Sequence, residues 1–99
     1  MSSFHNESTE RLFEVITNIK TPEECRAFFE DLCTIKEILD MSQRLDTAIL
    51  LDRGLSYQKI AAQIGVSTAT IGRVSRALSY GAGGYQVALE RLNEGEKEA

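Results

Sequence analysis

The sequence predicts an all-α fold of six helices built around a helix-turn-helix, with no strand. Three observations carry this reading. Apolar residues recur at helical rather than alternating spacing along most of the chain. Ser and Thr stand where helices would need an N-cap. Two short helical segments between Ser56 and Ser79 are separated only by Gly65-Val66 and a capping Ser67. The 99 residues make one domain, 1–99, with the helix-turn-helix at about 56–79.

The first helix is expected over residues 8 to 19, where Leu12, Phe13, Val15, Ile16 and Ile19 form a broad apolar face. Thr21-Pro22-Glu23-Glu24 opens the second: Thr caps, Pro presets φ in the first turn, and the acids face the positive end of the helix dipole. That helix carries Phe28, Phe29 and Leu32. Thr34 with Glu37 reads as a capping box for a third helix that runs to about Arg53 and stops at Gly54. Ser56 and Ser67 cap short helices over about 57–64 and 68–79. Tyr80-Gly-Ala-Gly-Gly-Tyr85 reads as a turn, either a simple break or a place where backbone N–H groups approach a ligand. A last helix is expected over 85–94, with Glu94-Gly-Glu-Lys-Glu-Ala99 as a frayed, solvated tail.

The segment from Ser56 to Ala77 meets the demands of a helix-turn-helix one by one. Two helices that cross closely need a small residue on the first, and Ala61 supplies it. The turn needs a residue tolerant of positive φ, and Gly65 stands four positions on. Ile60, Ile64, Val66, Ile71 and Val74 fall where the pair must face inward. The second helix then presents Thr68, Ala69, Gly72, Arg73 and Arg76 outward: small polar or small residues and two cations, with no acid. Such a face suits close approach to a DNA groove, whereas a purely structural hairpin would need only the Gly and the apolar spacing.

The residues divide by chemistry. Gln58 and Lys59, with the first helix's N-terminal amides, suit a phosphate. Ser67 caps the reading helix, and Thr68, Ala69 and Gly72 lie nearest base edges, where a methyl group can touch thymine. Arg76 either reads guanine or holds phosphate. Net charge is −4, which taken alone speaks against nucleic acid. Yet from Arg53 to Leu89 there is no Asp or Glu, while Arg53, Lys59, Arg73 and Arg76 are all basic. The acids lie outside this stretch, as a locally basic surface on an acidic scaffold requires.

Helices one and three are apolar over more than one stripe, too much for one small chain to cover. A second copy is the economical cover, making about 8–53 and 85–94 a dimerisation core; a compact monomer is the competing reading. Cys25 and Cys33, eight positions apart, would be separated by about 12 Å along one helix, beyond disulfide reach. Both read as small buried hydrophobes of a reducing compartment. The segment Met1-Ser-Ser-Phe-His5 has no signal-peptide pattern, and no apolar run reaches the length of a membrane span, so a cytoplasmic protein is expected. With a single His, no metal site is expected. No paired carboxylates or activated nucleophile point to an enzyme.

Four blocks make the sequence resemble the Trp repressor superfamily, and within it the YerC/YecD group. They are Asp31-Leu-Cys-Thr-Ile-Lys-Glu-Ile38, Gln43-Arg44-Leu45, Ser67-Thr-Ala-Thr-Ile-Gly-Arg73 and Tyr80-Gly-Ala-Gly-Gly-Tyr85. The resemblance implies an intertwined homodimer in which helices one, two, three and six interlock, and bacterial transcription regulation, here repression at a palindromic operator in double-stranded DNA. It also implies an effector pocket, in which Arg44 and Arg73 match the arginines that flank tryptophan and Thr34 and Thr70 match pocket threonines. Departures weigh against tryptophan: Val74 stands where the family has Gly, Ala77 replaces a Ser, and Asp31 and Cys33 replace leucines. No cofactor is expected: Arg44 and Arg73 then read as helix-to-helix or helix-to-phosphate links, and a different small effector is the open alternative. Competing functions are a non-DNA protein-interaction module and a replication or nucleoid-associated DNA-binding protein.

Overall fold

The computed structural model describes residues 5–98; the segment Met1-Ser-Ser-Phe4 that bears on targeting lies outside them. Six helices follow in order, with no strand among the described residues: α1 (Glu7–Thr17), α2 (Pro22–Leu32), α3 (Ile35–Asp52), α4 (Tyr57–Ile64), α5 (Thr68–Tyr80) and α6 (Gly84–Glu98). The chain divides into two compact units, Met1–Ile38 and Leu39–Ala99.

In the first unit, α1 begins and ends earlier than its apolar pattern suggests. Asn6 caps it, its side-chain oxygen accepting from the Thr9 N–H at 3.0 Å while the Asn6 N–H donates to Thr9 Oγ1 at 3.1 Å. Helix periodicity does not register such a polar reciprocal cap. The helix stops before Asn18, so Ile19 sits in the turn that follows, its N–H donating to the Ile16 carbonyl at 3.2 Å. Thr21 caps α2 as expected, accepting from the Glu24 N–H at 3.1 Å. Neither α1 nor α2 contains a single buried residue. Phe28 and Phe29 touch edge to face with ring centroids 5.7 Å apart, yet both stay half-exposed. Cys25 is exposed rather than buried, and Cys33 is half-buried; both are free thiols. Cys25 stands on a helix that buries nothing, so its small apolar side chain has no core to enter.

In the second unit, α3 ends in a double cap. Gly54, at φ +86°, donates to the Leu51 carbonyl at 3.0 Å, and Leu55 donates to the Leu50 carbonyl at 3.1 Å. This pairing satisfies two of the last carbonyls of the helix and needs a left-handed residue at the glycine. The core gathers Ala48, Val74 and Leu89, with Ile49, Leu51, Leu78 and Tyr85 packed around them. Thr47 is buried without penalty because its hydroxyl donates to the Gln43 carbonyl at 2.7 Å.

The C-terminal expectation needs correction. α6 starts at Gly84 and continues to Glu98, so the tail read as frayed is helical as far as Glu98, and Ala99 lies outside the described residues. Glu and Lys are good helix formers and outweigh the single Gly95. Glu96 is also engaged: Arg53 Nη2 lies 3.9 Å from Glu96 Oε2. At the other end, the Gln86 side-chain amide donates to the Leu78 carbonyl, closing the turn between α5 and α6.

Candidate nucleic-acid interface

The two short helices are each fixed by a serine and separated by a glycine. Ser56 Oγ accepts from the Lys59 N–H at 3.2 Å and starts α4. Gly65 ends it at φ +85°, ψ 25°, donating its N–H to the Ala61 carbonyl at 2.9 Å. An L side chain is strained in this left-handed conformation, which is why the turn requires glycine. Ser67 then starts α5: its Oγ accepts from the Thr70 N–H at 3.1 Å and its hydroxyl lies 3.1 Å from Thr70 Oγ1.

The inward face of the pair is the expected one. Ile60 and Ile71 are fully buried and Val74 is 3% exposed. Ala61, Ile64 and Val66 are half-buried, and α4 packs on α5. With Ile71, Val74 and Leu78 turned inward, Thr68, Ala69, Arg73 and Arg76 are exposed on the other faces of α5, and Gly72 is half-exposed beside them. Gly72 is the telling residue. A Cβ built on it meets no atom within 4 Å, and its φ is ordinary, so nothing in the fold of one chain demands glycine there. What it leaves is clearance on the outer face of α5.

Gln58 and Lys59 are exposed in the first turn of α4. Of the four cations in the acid-free stretch, Arg53 is countered by Glu96. Lys59, Arg73 and Arg76 are exposed, and of the three Arg73 shares a pocket with Asp40. Their charges therefore face solvent, ready for an anionic partner.

Beside this surface lies a pocket of about 380 Å³ lined by Asp40, Gln43, Arg44, Gly65, Val66, Ser67, Thr70 and Arg73. It brings together three of the four expected pocket residues, Arg44, Thr70 and Arg73. The fourth, Thr34, lies in the first unit and caps α3, its Oγ1 accepting from the Glu37 N–H at 3.1 Å. Val74 is a core residue rather than a lining one, and Ala77 lines a separate apolar groove with Leu45 and Tyr85. The sequence marks Gln43 only as part of the block shared with the family, and nothing in it points to Asp40. Both lie within one helical turn before Arg44 on α3, which places them near its side chain.

Among the described residues no cluster of His, Cys, Asp or Glu could hold a metal ion, and no helix is long and apolar enough to cross a membrane.

Comparison with known proteins extends this picture along the chain. The uncharacterized protein YerC of Bacillus subtilis (strain 168) is 49% identical over 90 residues, covering 91% of this chain and 86% of that protein. The crystal structure of a TrpR-like protein from Eubacterium eligens ATCC 27750 superposes with a TM-score of 0.85 at 46% identity, covering 90% of this chain and 92% of that one. That of a candidate Trp repressor from Staphylococcus aureus gives 0.84 at 42%, covering 89% and 88%. The family model for the Trp repressor protein matches residues 7–93, which include all of α1 to α5 and most of α6: the chain is a member of the Trp repressor family.

Proposed function

We propose that this chain is a sequence-specific DNA-binding transcriptional regulator, a cytoplasmic repressor that acts as a homodimer on a two-fold symmetric operator. The observation that carries the reading is the outer face of α5, where small residues around Gly72 leave clearance and Arg73 and Arg76 expose positive charge. Backbone and side chains can then come close to a groove while the flanking cations displace counterions from phosphate. In this reading Thr68, Ala69 and Gly72 meet base edges, Ser67 sets the start of the helix, and Gln58, Lys59 and Arg76 hold phosphates. Membership of the Trp repressor family supports it.

The dimer has its own support. A unit whose helices bury nothing has no core of its own, and Phe13, Val15, Leu32 and Ile35 expose 42%, 43%, 50% and 80% of their surface in the single chain. Covering such faces is worth roughly 25 cal/mol per Å², so a second copy is a strong stabiliser.

We further infer that the pocket beside α5 does not take tryptophan. Asp40 lines it together with Arg44 and Arg73, so a carboxylate entering there meets an acid as well as the two cations, and Val74, turned into the core, does not shape the slot. The lining suits a different small effector that offers a donor to Asp40 as well as an acceptor to Arg44 and Arg73. Fluorescence anisotropy of labelled duplex DNA titrated with protein at several salt concentrations tests the DNA reading. The expected result is binding whose log affinity falls linearly with log salt. A protein-interaction module would show no DNA binding and no such slope.

A further inference from the structure

The most exposed large side chain identified on the surface lies just outside the helix-turn-helix. Tyr80 is 87% exposed and is the last residue of α5. An aromatic ring left in water at that position contributes nothing to the core, so its placement needs another explanation.

Its position on the helix supplies one. At about 100° per residue, Ala69, Arg73, Arg76 and Tyr80 project along one line of α5, opposite Ile71, Val74 and Leu78. On α5 that line carries two exposed arginines and no acid. Tyr80 therefore extends the basic face by one turn, about 18 Å along the helix from Thr68. It is also held there. Glycine is required directly after it: a Cβ on Gly81 would collide with the Ala77 carbonyl oxygen, to which the Gly81 N–H donates at 2.9 Å. The Gln86 amide fastens the neighbouring Leu78 carbonyl. Both contacts steady the last turn of α5, so the tyrosine stands on a firm base with only its own two side-chain torsions to order.

We infer that Tyr80 is a further contact to duplex DNA, donating its phenolic hydroxyl to a backbone phosphate in the flank of the site that α5 reads. Tyrosine hydroxyls are regular phosphate donors, and an aromatic arm loses little entropy on docking. The inference rests on the DNA-binding reading above and deepens it. Because a phosphate contact is independent of sequence, it can be tested without knowing the operator.

The probe is a labelled duplex of about 40 base pairs of random sequence, long enough to supply both flanks, titrated at several salt concentrations. Tyr80→Phe, which keeps the ring and removes only the hydroxyl, is expected to bind about tenfold more weakly than the unaltered chain, as loss of a hydrogen bond to a charged group implies. Tyr80→Ala should lose at least as much. Neither should change the log-affinity versus log-salt slope, because no charge is removed, whereas Arg76→Ala should reduce it. Melting temperature and sedimentation should match the unaltered protein. Equal binding by Tyr80→Phe and the unaltered chain overturns the assignment. So does a change in oligomeric state with Tyr80→Ala, which would place the ring at a contact between copies. If the unaltered chain binds no duplex at any salt, the DNA reading itself fails, and that outcome is visible before any variant is made.

Discussion

Thr34 and Glu37 bond each other reciprocally at the start of α3: the Thr34 N–H donates to Glu37 Oε1 at 2.8 Å, and the Glu37 N–H donates to Thr34 Oγ1 at 3.1 Å. The backbone N–H, and then the hydroxyl of the same threonine, favour the ionised carboxylate and lower the Glu37 pKa from its ordinary value of 4.5.

A carboxyl group that is more acidic in the folded state contributes stability above its unfolded pKa and loses it as pH falls through the folded one. Glu37→Gln keeps the shape of the capping box but cannot ionise. The unaltered chain should therefore melt higher than this variant near neutral pH, and the difference should vanish once pH drops below the lowered pKa of Glu37. Thermal melts of both proteins across the acid range check this. The side chain is fully exposed, so the gap will be small.

Dimerisation is checked by sedimentation at micromolar concentration, where about twice the 11.0 kDa chain mass is expected. Ile35→Asp, at a position 80% exposed in one chain, costs a free monomer nothing but places an unpaired charge in a dimer interface. It should shift the protein toward monomer. In the dimer the two α5 helices should lie about 34 Å apart, one turn of DNA.

Tryptophan is expected to leave the protein unchanged. A ligand present at 100 times its dissociation constant raises stability by about 2.7 kcal/mol, which a melt detects easily. Millimolar L-tryptophan should shift neither the melting temperature nor the affinity for DNA. A clear shift would show that Asp40 does not keep a carboxylate from Arg44 and Arg73.

Gly72→Ala should move folding and binding in opposite directions. An added Cβ meets nothing within 4 Å, and alanine favours a helix interior over glycine by roughly 1 kcal/mol, so the variant should melt higher. The same methyl group fills clearance that α5 needs against a groove, so DNA affinity should fall. Binding that rises with stability would remove Gly72 from the contact face.

Readout and positioning should separate on α4 and α5. Thr68→Ala should cost about 1–3 kcal/mol on the preferred site, with little effect on scrambled duplexes or on the salt slope. Lys59→Ala and Arg76→Ala should weaken binding to every sequence, each lowering the slope by about one per protomer. Titration of specific and scrambled duplexes decides between the roles. If Thr68→Ala behaves like the charge variants, the base-reading face lies elsewhere on α5.

How much of this was legible in the sequence follows from the range of the forces involved. The sequence by itself determined the helices, the inward face of the α4–α5 pair and the turn, because capping bonds and backbone preferences act over three or four residues. Ser56, Gly65 and Ser67 act on their own neighbours, and Ile60, Ile71 and Val74 follow from period alone. Local signals misjudged the ends, where a polar pair such as Asn6 with Thr9 starts a helix without any apolar cue and where Glu96 finds Arg53 from far along the chain. Only the tertiary structure could bring Asp40 and Gln43 beside Arg73 and show that Val74 packs with Ala48 and Leu89. It alone could show that Gly72 is unconstrained by packing while Tyr80 stands in solvent. Exposure and proximity between distant residues depend on how helices pack, and packing is decided by the whole set of side chains at once rather than by any one segment.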